Sequence, residues 1–476
     1  MTNQVPPRAY GFWTGTFVVT ASMVGSGILL GPGHTLQATE SPWALMILWT
    51  IGGAMALAGS WVVAELGASL PHAGGDYVFV RQAFGNAWAF VFGWSCLLFT
   101  FAGPIALISL MTVQYVAPVS FDTSSLWAYA FATGIILLFA ALHGLGQRES
   151  AFVQNLTTII KLAIFLAFAV AGFGWGEGHF SHFDDGLPIA QKGGWSTLAI
   201  NLTYVLYAYS GWNGAAYLAG EIRDPQRTLP RSLVAGSLLV MGLYLLMNAL
   251  YVFALPMETI RSASEKDINK VAWMAGEALF GGNVSRMLSV VFGIGMLATI
   301  SALLFTGPRI AYMMARDGLL PATIAWISPR GQTPVFSTML LGTVSLAILW
   351  SGTFNAILDF TAVGLTTLSA LTVASIFPLR ARENWPNKYR MPMYPLPPII
   401  FLALTAFIVV LALQSGTEKE FLRWQDTIIP VNAVALGSIL AMLLGFPLYA
   451  VYVLLAGKPS TVIDLAEAGP MSESSP

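Results

Sequence analysis

Long apolar stretches separated by short polar segments occupy most of this 476-residue chain. A helix needs about 20 predominantly apolar residues to cross a bilayer. The pattern therefore predicts an all-α membrane protein with twelve transmembrane helices. The predicted spans lie near residues 12–37, 43–69, 86–115, 126–143, 151–173, 196–219, 231–255, 272–306, 335–350, 355–379, 397–414 and 428–455. The start of the eighth span, around Trp273, could instead form a separate short helix.

The first and sixth predicted spans are interrupted at their centres, by Gly25-Ser26-Gly27 and by Ser210-Gly211. Lipid offers no hydrogen-bond partner, so an unwound helix at this depth is expected only where its backbone faces protein or a ligand. Each interrupted span is the first of five predicted spans, spans 1–5 and spans 6–10. Paired breaks of this kind point to a binding site between inverted repeats. We predict one transmembrane domain, with repeats at about 12–173 and 196–379 and two further helices at about 397–455.

Composition and charge narrow the function. The chain is 56% hydrophobic and 9% charged, against about 25% charged residues in soluble domains. The net charge of −1 gives no indication of nucleic-acid binding, so we expect no nucleic-acid partner. The single cysteine, Cys96, excludes an internal disulfide and a cysteine-based metal site. The five histidines have no metal-binding spacing, and no nucleotide-binding or hydrolase motif occurs. We predict no enzyme, no metal and no cofactor.

Lysine and arginine are distributed unevenly between the two sides. If the N-terminus is cytoplasmic, the inner segments hold 14 of the 22 basic residues, the outer segments hold 7, and Lys161 lies within span 5. Basic residues concentrate in cytoplasmic loops. We therefore predict a multi-pass protein of the cell (inner or plasma) membrane with both termini cytoplasmic. The polar tail, residues 459–476, is predicted to be disordered.

The two breaks offer opposite charges to a ligand. Freed N–H groups at the start of the half-helix after Gly25-Ser26-Gly27 suit a carboxylate, although small residues also serve close helix packing. Around Ser210-Gly211, freed carbonyl groups suit an ammonium group. Tyr207 or Trp212 could close over a bound substrate, or these rings could simply pack.

Lys161 lies about ten residues into span 5, where a lysine costs about 2.5–3.5 kcal/mol on insertion scales. Spans 1, 6 and 8 contain no obvious acidic partner, which leaves backbone carbonyls and hydroxyl groups to hold the ammonium. A cation held there could replace a sodium ion or release a proton, or it could be a structural tie between spans 5 and 1. Glu65, at the end of span 2, could make a gate or loop contact, with Arg81 or Arg309 as candidate partners, or it could be a solvated helix end.

Several motifs together resemble the amino acid–polyamine–organocation (APC) superfamily, and within it the L-amino acid transporter (LAT) family. The resemblance covers nearly the whole chain. It is carried by Met23-Val24-Gly25-Ser26-Gly27-Ile28, Gly74-Gly75-Asp76-Tyr77, Arg81-Gln82-Ala83-Phe84-Gly85, Tyr209-Ser210-Gly211-Trp212-Asn213, Leu229-Pro230-Arg231 and Ala315-Arg316-Asp317-Gly318-Leu319-Leu320-Pro321.

The resemblance implies the five-plus-five LeuT-type fold and alternating access. Ser26 and Gly27 would meet the substrate carboxylate, and carbonyls of Met23, Tyr207, Ala208 and Ser210 would meet its amine. Tyr207 occupies the gate position. The ammonium of Lys161 would bridge Gly25 and a hydroxyl of span 8, Thr299 or Ser301, which predicts sodium independence. The full set of predicted substrate-binding residues is Met23, Gly25, Ser26, Gly27, Tyr207, Ala208, Ser210 and Gly211, with Trp212 as a second gate residue.

These expectations predict a sodium-independent secondary transporter of neutral L-amino acids, working by exchange or with protons. A cationic amino acid or polyamine exchanger and a non-transporting amino acid sensor remain alternatives. The segment from Ala117 to Ser125 has no cysteine. In the eukaryotic light chains of the resembled family a cysteine between spans 3 and 4 joins a heavy-chain glycoprotein, so we expect no such subunit. Monomer and homodimer are both open.

Overall fold

The structure is a computed structural model that describes residues 8–117, 125–268, 270–351, 354–386, 388–414, 421–424, 427–430 and 433–456. These residues are overwhelmingly helical, which confirms the predicted all-α class. A short antiparallel hairpin, β1 (Phe421–Trp424) and β2 (Thr427–Pro430), also occurs among them. The tail 459–476 and most of the segment between Ala117 and Ser125 lie outside the described residues.

The described residues of the first half form eight α-helices, with a π-helical turn inside the third predicted span. They are α1 (Phe12–Met23), α2 (Gly27–Thr39), α3 (Pro42–Ser69), α4 (Asp76–Phe84), α5 (Asn86–Ser95), the π-helix Cys96–Ala102, α6 (Gly103–Val116), α7 (Leu126–Leu145) and α8 (Gln147–Trp175). A 3₁₀-helix, Phe180–Phe183, follows.

The second half is more fragmented. Its elements are α9 (Gly194–Ala208), the 3₁₀-helix Gly214–Glu221, α10 (Pro225–Ala254), α11 (Met257–Ser262), α12 (Glu265–Ile268), α13 (Val271–Phe280), α14 (Gly282–Thr306), α15 (Pro308–Arg316), the 3₁₀-helix Ala322–Ala325, α16 (Val335–Ser351), α17 (Phe354–Ala374), α18 (Ile376–Arg380), α19 (Leu396–Gln414), α20 (Ala433–Leu443) and α21 (Gly445–Ala456).

Local sequence explains several helix boundaries. The Ser41 hydroxyl accepts the Ala44 N–H at 3.3 Å, and Pro42 occupies the first turn of α3, where its missing N–H is harmless. Gly281, with φ of +79°, separates α13 from α14. The alternative of a short separate helix around Trp273 is therefore confirmed.

Eight helices within the described residues are long and apolar enough to cross a membrane, and a ninth crossing results if α1 and α2 count as one bent span. Shorter apolar helices include α13, α16 and α19. The structure thus has many membrane-spanning helices. The count of twelve stays a prediction.

The packing places the two interrupted helices at the centre of the bundle. The helix α10 packs against both α1 and α3, while α14 packs against α6 and α8. Behind the breaks lies a buried aromatic cluster of Trp49, Tyr209 and Tyr244, whose ring centroids are 4.9–5.7 Å apart. Rings at these separations attract each other beyond their buried area, so this cluster gives the broken segments a rigid support.

Candidate functional site

The two helix interruptions lie directly against each other. The helix α1 ends at Met23 and α2 begins at Gly27, with a bend of 41° between them. The helix α9 ends at Ala208, and the following 3₁₀-helix begins only at Gly214. A Cβ atom at Gly27 would lie 2.4 Å from the Cα of Ala208. Glycine at this crossing is therefore a packing requirement as well as a helix breaker.

Gly211 is the second glycine that the crossing requires. Its φ is +98°, a conformation that other residues rarely adopt, and a Cβ atom there would lie 2.8 Å from the carbonyl carbon of Ser22. These contacts support the close-packing interpretation of the glycines, and their role in substrate binding stays a prediction.

We expect Gly27→Ala to abolish substrate binding, because the added methyl group would have to push the α9 backbone away from α2. Overpacking usually costs about 1–3 kcal/mol, and here the obstructing atoms belong to the main chain. Ligand-induced thermal stabilisation of the purified protein measures the effect. Gly134→Ala on α7 is the matched control, since nothing lies within 4 Å of its added Cβ. Undiminished binding by Gly27→Ala would contradict the geometry.

One cavity lies at the crossing, with an empty volume of about 530 Å³ including its open mouth. All eight predicted substrate-binding residues line it. Phe101, Thr299 and Leu365 add walls from predicted spans 3, 8 and 10. The structure thus brings the predicted set together.

The helix ends give the cavity its polarity. A helix that begins at Gly27 leaves its first N–H groups without intrahelical partners, and the positive end of its dipole faces the cavity. Ser26, which precedes it, is 4% exposed, and its side chain makes no capping hydrogen bond. The helix α9 ends at Ala208 with the opposite, negative polarity. The arrangement can hold a group with separated negative and positive charges.

Tyr244 of α10 is a residue of this site that sequence reasoning missed. Its hydroxyl oxygen lies 2.7 Å from the Met23 carbonyl oxygen and 2.9 Å from the Ala208 carbonyl oxygen. Two of the carbonyls expected to meet the substrate amine are therefore bonded to protein. A tyrosine within an apolar run is ordinarily a packing residue, and the sequence around Tyr244 gave no other signal.

The two predicted gate residues have different positions. Tyr207 is 7% exposed, lines the cavity, and its side chain interacts with Ser26. Trp212 instead packs its ring on Gly59 and lies 5.8 Å from the ring of Phe401. It lines a smaller, separate cavity next to α19. The structure therefore does not bring Trp212 over the main cavity, because the turn at Gly211 directs it away.

Lys161 reaches the first break from α8. Its Nζ donates to the carbonyl oxygens of Ala21, at 3.3 Å, and Val24, and to the Thr299 hydroxyl at 2.6 Å. The residue is 1% exposed, and no acidic side chain pairs with it among the described residues. The negative end of α1 therefore offsets the charge of this buried cation.

Two expectations about Lys161 need correction. Its backbone partners are Ala21 and Val24 rather than Gly25, because these carbonyls point out of the last turn of α1. Its hydroxyl partner is Thr299. Ser301, the other candidate, bonds to Nε2 of His143 at 3.0 Å. The two residues are separated by about 200° around a helix of 3.6 residues per turn, so they cannot both face Lys161.

Two ion pairs lie on the side of the bundle where the described chain begins. On this side Tyr10 forms a backbone bridge with Ile222, the residue after Glu221. Arg309 makes a buried bidentate pair with Glu221, with nitrogen–oxygen distances of 3.0 and 3.1 Å. Arg81 lies 2.8 Å from Asp317. We call these two pairs the ion-pair layer. Glu221 of this layer ends the 3₁₀-helix whose Gly214 and Tyr217 line the cavity.

Glu65 belongs to a neighbouring contact rather than to this layer. One oxygen lies 3.5 Å from Nε of Arg380, and the other accepts the Met391 N–H at 2.9 Å. The expected partners, Arg81 and Arg309, are engaged by Asp317 and Glu221. The loop contact is therefore confirmed, whereas the two candidate partners and the solvated helix end were wrong. The partner comes from a distant loop, which no local spacing indicates.

Asp76 begins α4 and is hydrogen-bonded to two residues that line the cavity, Asn213 and Tyr217. Asn213 Nδ2 and the Tyr217 hydroxyl, the latter at 3.2 Å, both donate to its Oδ2. Tyr77, the next residue, donates its hydroxyl to Asp317 Oδ2 at 2.8 Å. The short helix α4 therefore contacts two cavity-lining residues through Asp76 and the ion-pair layer through Tyr77 and Arg81.

Comparison with known proteins identifies the family. The amino acid permease family matches residues 10–435 of this chain. The chain belongs to the amino acid permease family. This permease is 26% identical over 427 residues to the b(0,+)-type amino acid transporter 1 of Mus musculus, covering 87% of the chain and 84% of that protein. It is 25% identical to the serine/threonine exchanger SteT of Bacillus subtilis (strain 168), covering 82% and 88%.

A third relative, the cystine/glutamate transporter of Pongo abelii, is 26% identical over 94% of the permease and 85% of its own length. The names of these relatives confirm the predicted APC-type, LAT-like permease and its role in amino acid transport across a membrane. They confirm that the protein is a transporter and not an enzyme. They name substrates of different side-chain chemistry, so the choice among amino acids has to be argued from the cavity.

Proposed function

We propose that this permease transports neutral L-amino acids without sodium, by exchange or with protons. The main support is the chemistry of the cavity: its lining contains no acidic or basic side chain among the described residues. A zwitterion whose carboxylate meets the start of α2 and whose amine meets the end of α9 needs no further charge. A cationic or acidic side chain would enter without a partner, at a considerable desolvation cost.

Lys161 supports sodium independence in this proposal. The carbonyl and hydroxyl oxygens that surround its ammonium are the ligand types with which broken helices hold sodium in related folds. The fixed cation occupies their centre. Thr299 touches both the cavity and Lys161, so a movement of the substrate-bound segment would be felt at the ammonium. We propose that Lys161 and Thr299 couple substrate binding to the movement of α1.

The orientation and assembly are part of the same proposal. The side with the ion-pair layer is proposed to be cytoplasmic, because the loops on that side carry most of the lysine and arginine residues. The two five-helix halves are proposed to be inverted repeats. The absence of cysteine in the sequence from Ala117 to Ser125 argues against a disulfide-linked heavy chain.

Counterflow in proteoliposomes tests the function. Vesicles loaded with unlabelled L-serine and diluted into sodium-free buffer should accumulate labelled L-serine, and neutral amino acids should compete. Lysine, putrescine and glutamate should compete poorly. Uptake that requires sodium would contradict the proposal. Competition mainly by lysine or putrescine would favour the cationic alternative, for which aromatic rings can supply cation–π contacts. Binding without counterflow would favour a sensor.

A further inference from the structure

The carboxyl group of Asp76 has surroundings unlike those of the acidic residues that pair with arginine. The residue is 2% exposed. Its Oδ2 accepts two hydrogen bonds from the neutral donors Asn213 and Tyr217. Its Oδ1 makes no hydrogen bond among the described residues. Thr372 of α17, whose buried hydroxyl also lacks a hydrogen bond there, lies beside the carboxyl group.

The titratable groups around Asp76 provide no compensating cation. From the 3₁₀-helix the facing group is Tyr217, and from the π-helix it is Cys96, whose sulfur lies 3.8 Å from the Tyr217 hydroxyl. The helix α18 carries Arg380, which pairs with Glu65. The helix α17 contributes the neutral Thr372. In the described part of the chain, no arginine, lysine or histidine forms an ion pair with Asp76.

The remaining charged neighbours lie on α4 itself and are engaged elsewhere. Tyr77 and Arg81 are both directed to Asp317. A carboxylate buried without a cation is costly, and uptake of a proton removes that cost. The neutral acid fits the same contacts, since Oδ2 can still accept both donors while the proton sits on Oδ1 beside the Thr372 hydroxyl.

We propose that Asp76 is a proton-binding site next to the substrate cavity, which holds the ion-pair layer closed when it is protonated and favours opening when it is ionised. The inference rests on the proposed function, because the cavity next to it is the proposed substrate site. When the layer opens, water reaches Asp76, and the proton leaves Oδ1 for that water. Closure returns a proton to the same oxygen.

The sign of the pH dependence follows from the two environments. Burial raises the pKa of Asp76 from 3.8 to about 7 in the closed arrangement, against the smaller lowering effects of Asn213, Thr372 and Tyr217. In water the same group keeps its ordinary pKa. The closed form therefore binds more protons between about pH 4 and pH 7. Acidification stabilises the closed layer, and a rise of the pH to 8 favours the open one.

Hydrogen–deuterium exchange at matched pH tests this without requiring transport. Exchange is measured in two segments of the full-length protein, residues 72–84 and 309–321. At pH 8 they should exchange several-fold faster in the native protein than in Asp76→Asn, whose amide is permanently neutral. At pH 6 the two proteins should exchange alike. Because each comparison is made at one pH, the intrinsic pH dependence of exchange cancels. Glu383→Gln, which neutralises an exposed carboxyl, should behave like the native protein.

A second variant keeps the test decisive if Asp76→Asn does not fold. The Tyr217 hydroxyl donates to Oδ2 of Asp76 at 3.2 Å and lowers the pKa of Asp76, so Tyr217→Phe should move the pH midpoint of the exchange difference upward. Counterflow should show the same titration in the native protein, rising from pH 6 to pH 8, and a flat profile in Asp76→Asn.

Equal differences between native protein and Asp76→Asn at both pH values, or an unmoved midpoint in Tyr217→Phe, would overturn the proposal. If no protein shows counterflow while the exchange results hold, the proposed transport function fails and the proton site stands. The two failures are therefore distinguishable.

Discussion

Lys161→Ala should lower the rate of amino acid counterflow roughly ten- to hundredfold while the protein still inserts and folds. The variant removes the donor that bonds to the Ala21 and Val24 carbonyls. The Val24 carbonyl keeps the Thr299 hydroxyl as a donor at 2.8 Å, so the loss falls on the Ala21 carbonyl. A carbonyl left unsatisfied costs about 1–3 kcal/mol, and every factor of ten in rate corresponds to about 1.36 kcal/mol. The loss acts at the helix break itself. Counterflow in sodium-free proteoliposomes measures it.

Matched variants separate this role from a loss of charge or of folding. Lys192→Ala removes an exposed lysine that pairs with Glu40, and it should exchange normally, since surface pairs contribute about 0–1 kcal/mol. Thr299→Ser keeps the hydroxyl that bonds to Lys161 and should retain more activity than Thr299→Val. Native counterflow by Lys161→Ala would reject the coupling role and leave Lys161 as a structural tie.

Arg309→Ala should lower the free energy of unfolding by about 3–5 kcal/mol, because it leaves the Glu221 carboxylate buried without its cation. The pair is bidentate and both side chains are at most 6% exposed. Arg309 also covers the ring of Phe305, with the guanidinium carbon 4.8 Å from the ring centroid. Thermal unfolding in detergent measures the change.

The double variant Arg309→Met/Glu221→Leu distinguishes a stabilising pair from a gating pair. Apolar replacements of both partners of a buried pair are often neutral or stabilising, so this protein should regain most of the lost stability. Its counterflow should nevertheless remain impaired, because opening of the layer would expose apolar side chains to water instead of charged groups that water can hydrate. Full activity of the double variant would show that the pair serves folding and has no role in gating.

Sequence reasoning reached the features that depend on composition along one segment. The glycine–serine breaks stand out because lipid tolerates no free backbone groups, and Lys161 stands out because a charge is rare in a span. The cavity at Ser26 and Tyr207 followed from these breaks and from the family resemblance. None of these inferences required knowledge of how distant helices turn toward one another.

Features that depend on rotation and distant pairing were out of reach. Choosing Thr299 over Ser301 required the rotation of α14, and the direction of Trp212 required the backbone turn at Gly211. Glu65 pairs with Arg380, which lies more than three hundred residues later in the sequence. Asp76 stood within a motif that carried the resemblance, yet its burial without a cation became visible only once α4, α17 and the 3₁₀-helix were placed together.

The contact of Tyr244 with both broken helices limits the hydrogen bonds that reach the carbonyl groups at the cavity. A phenolic hydroxyl carries one hydrogen, but the Met23 and Ala208 carbonyl oxygens both lie within bonding distance of it. At any instant one of these two acceptors goes without that proton. An ammonium group brings three hydrogens. We expect an incoming amine to supply the missing donor, which would give a preference for amines that does not depend on the substrate side chain.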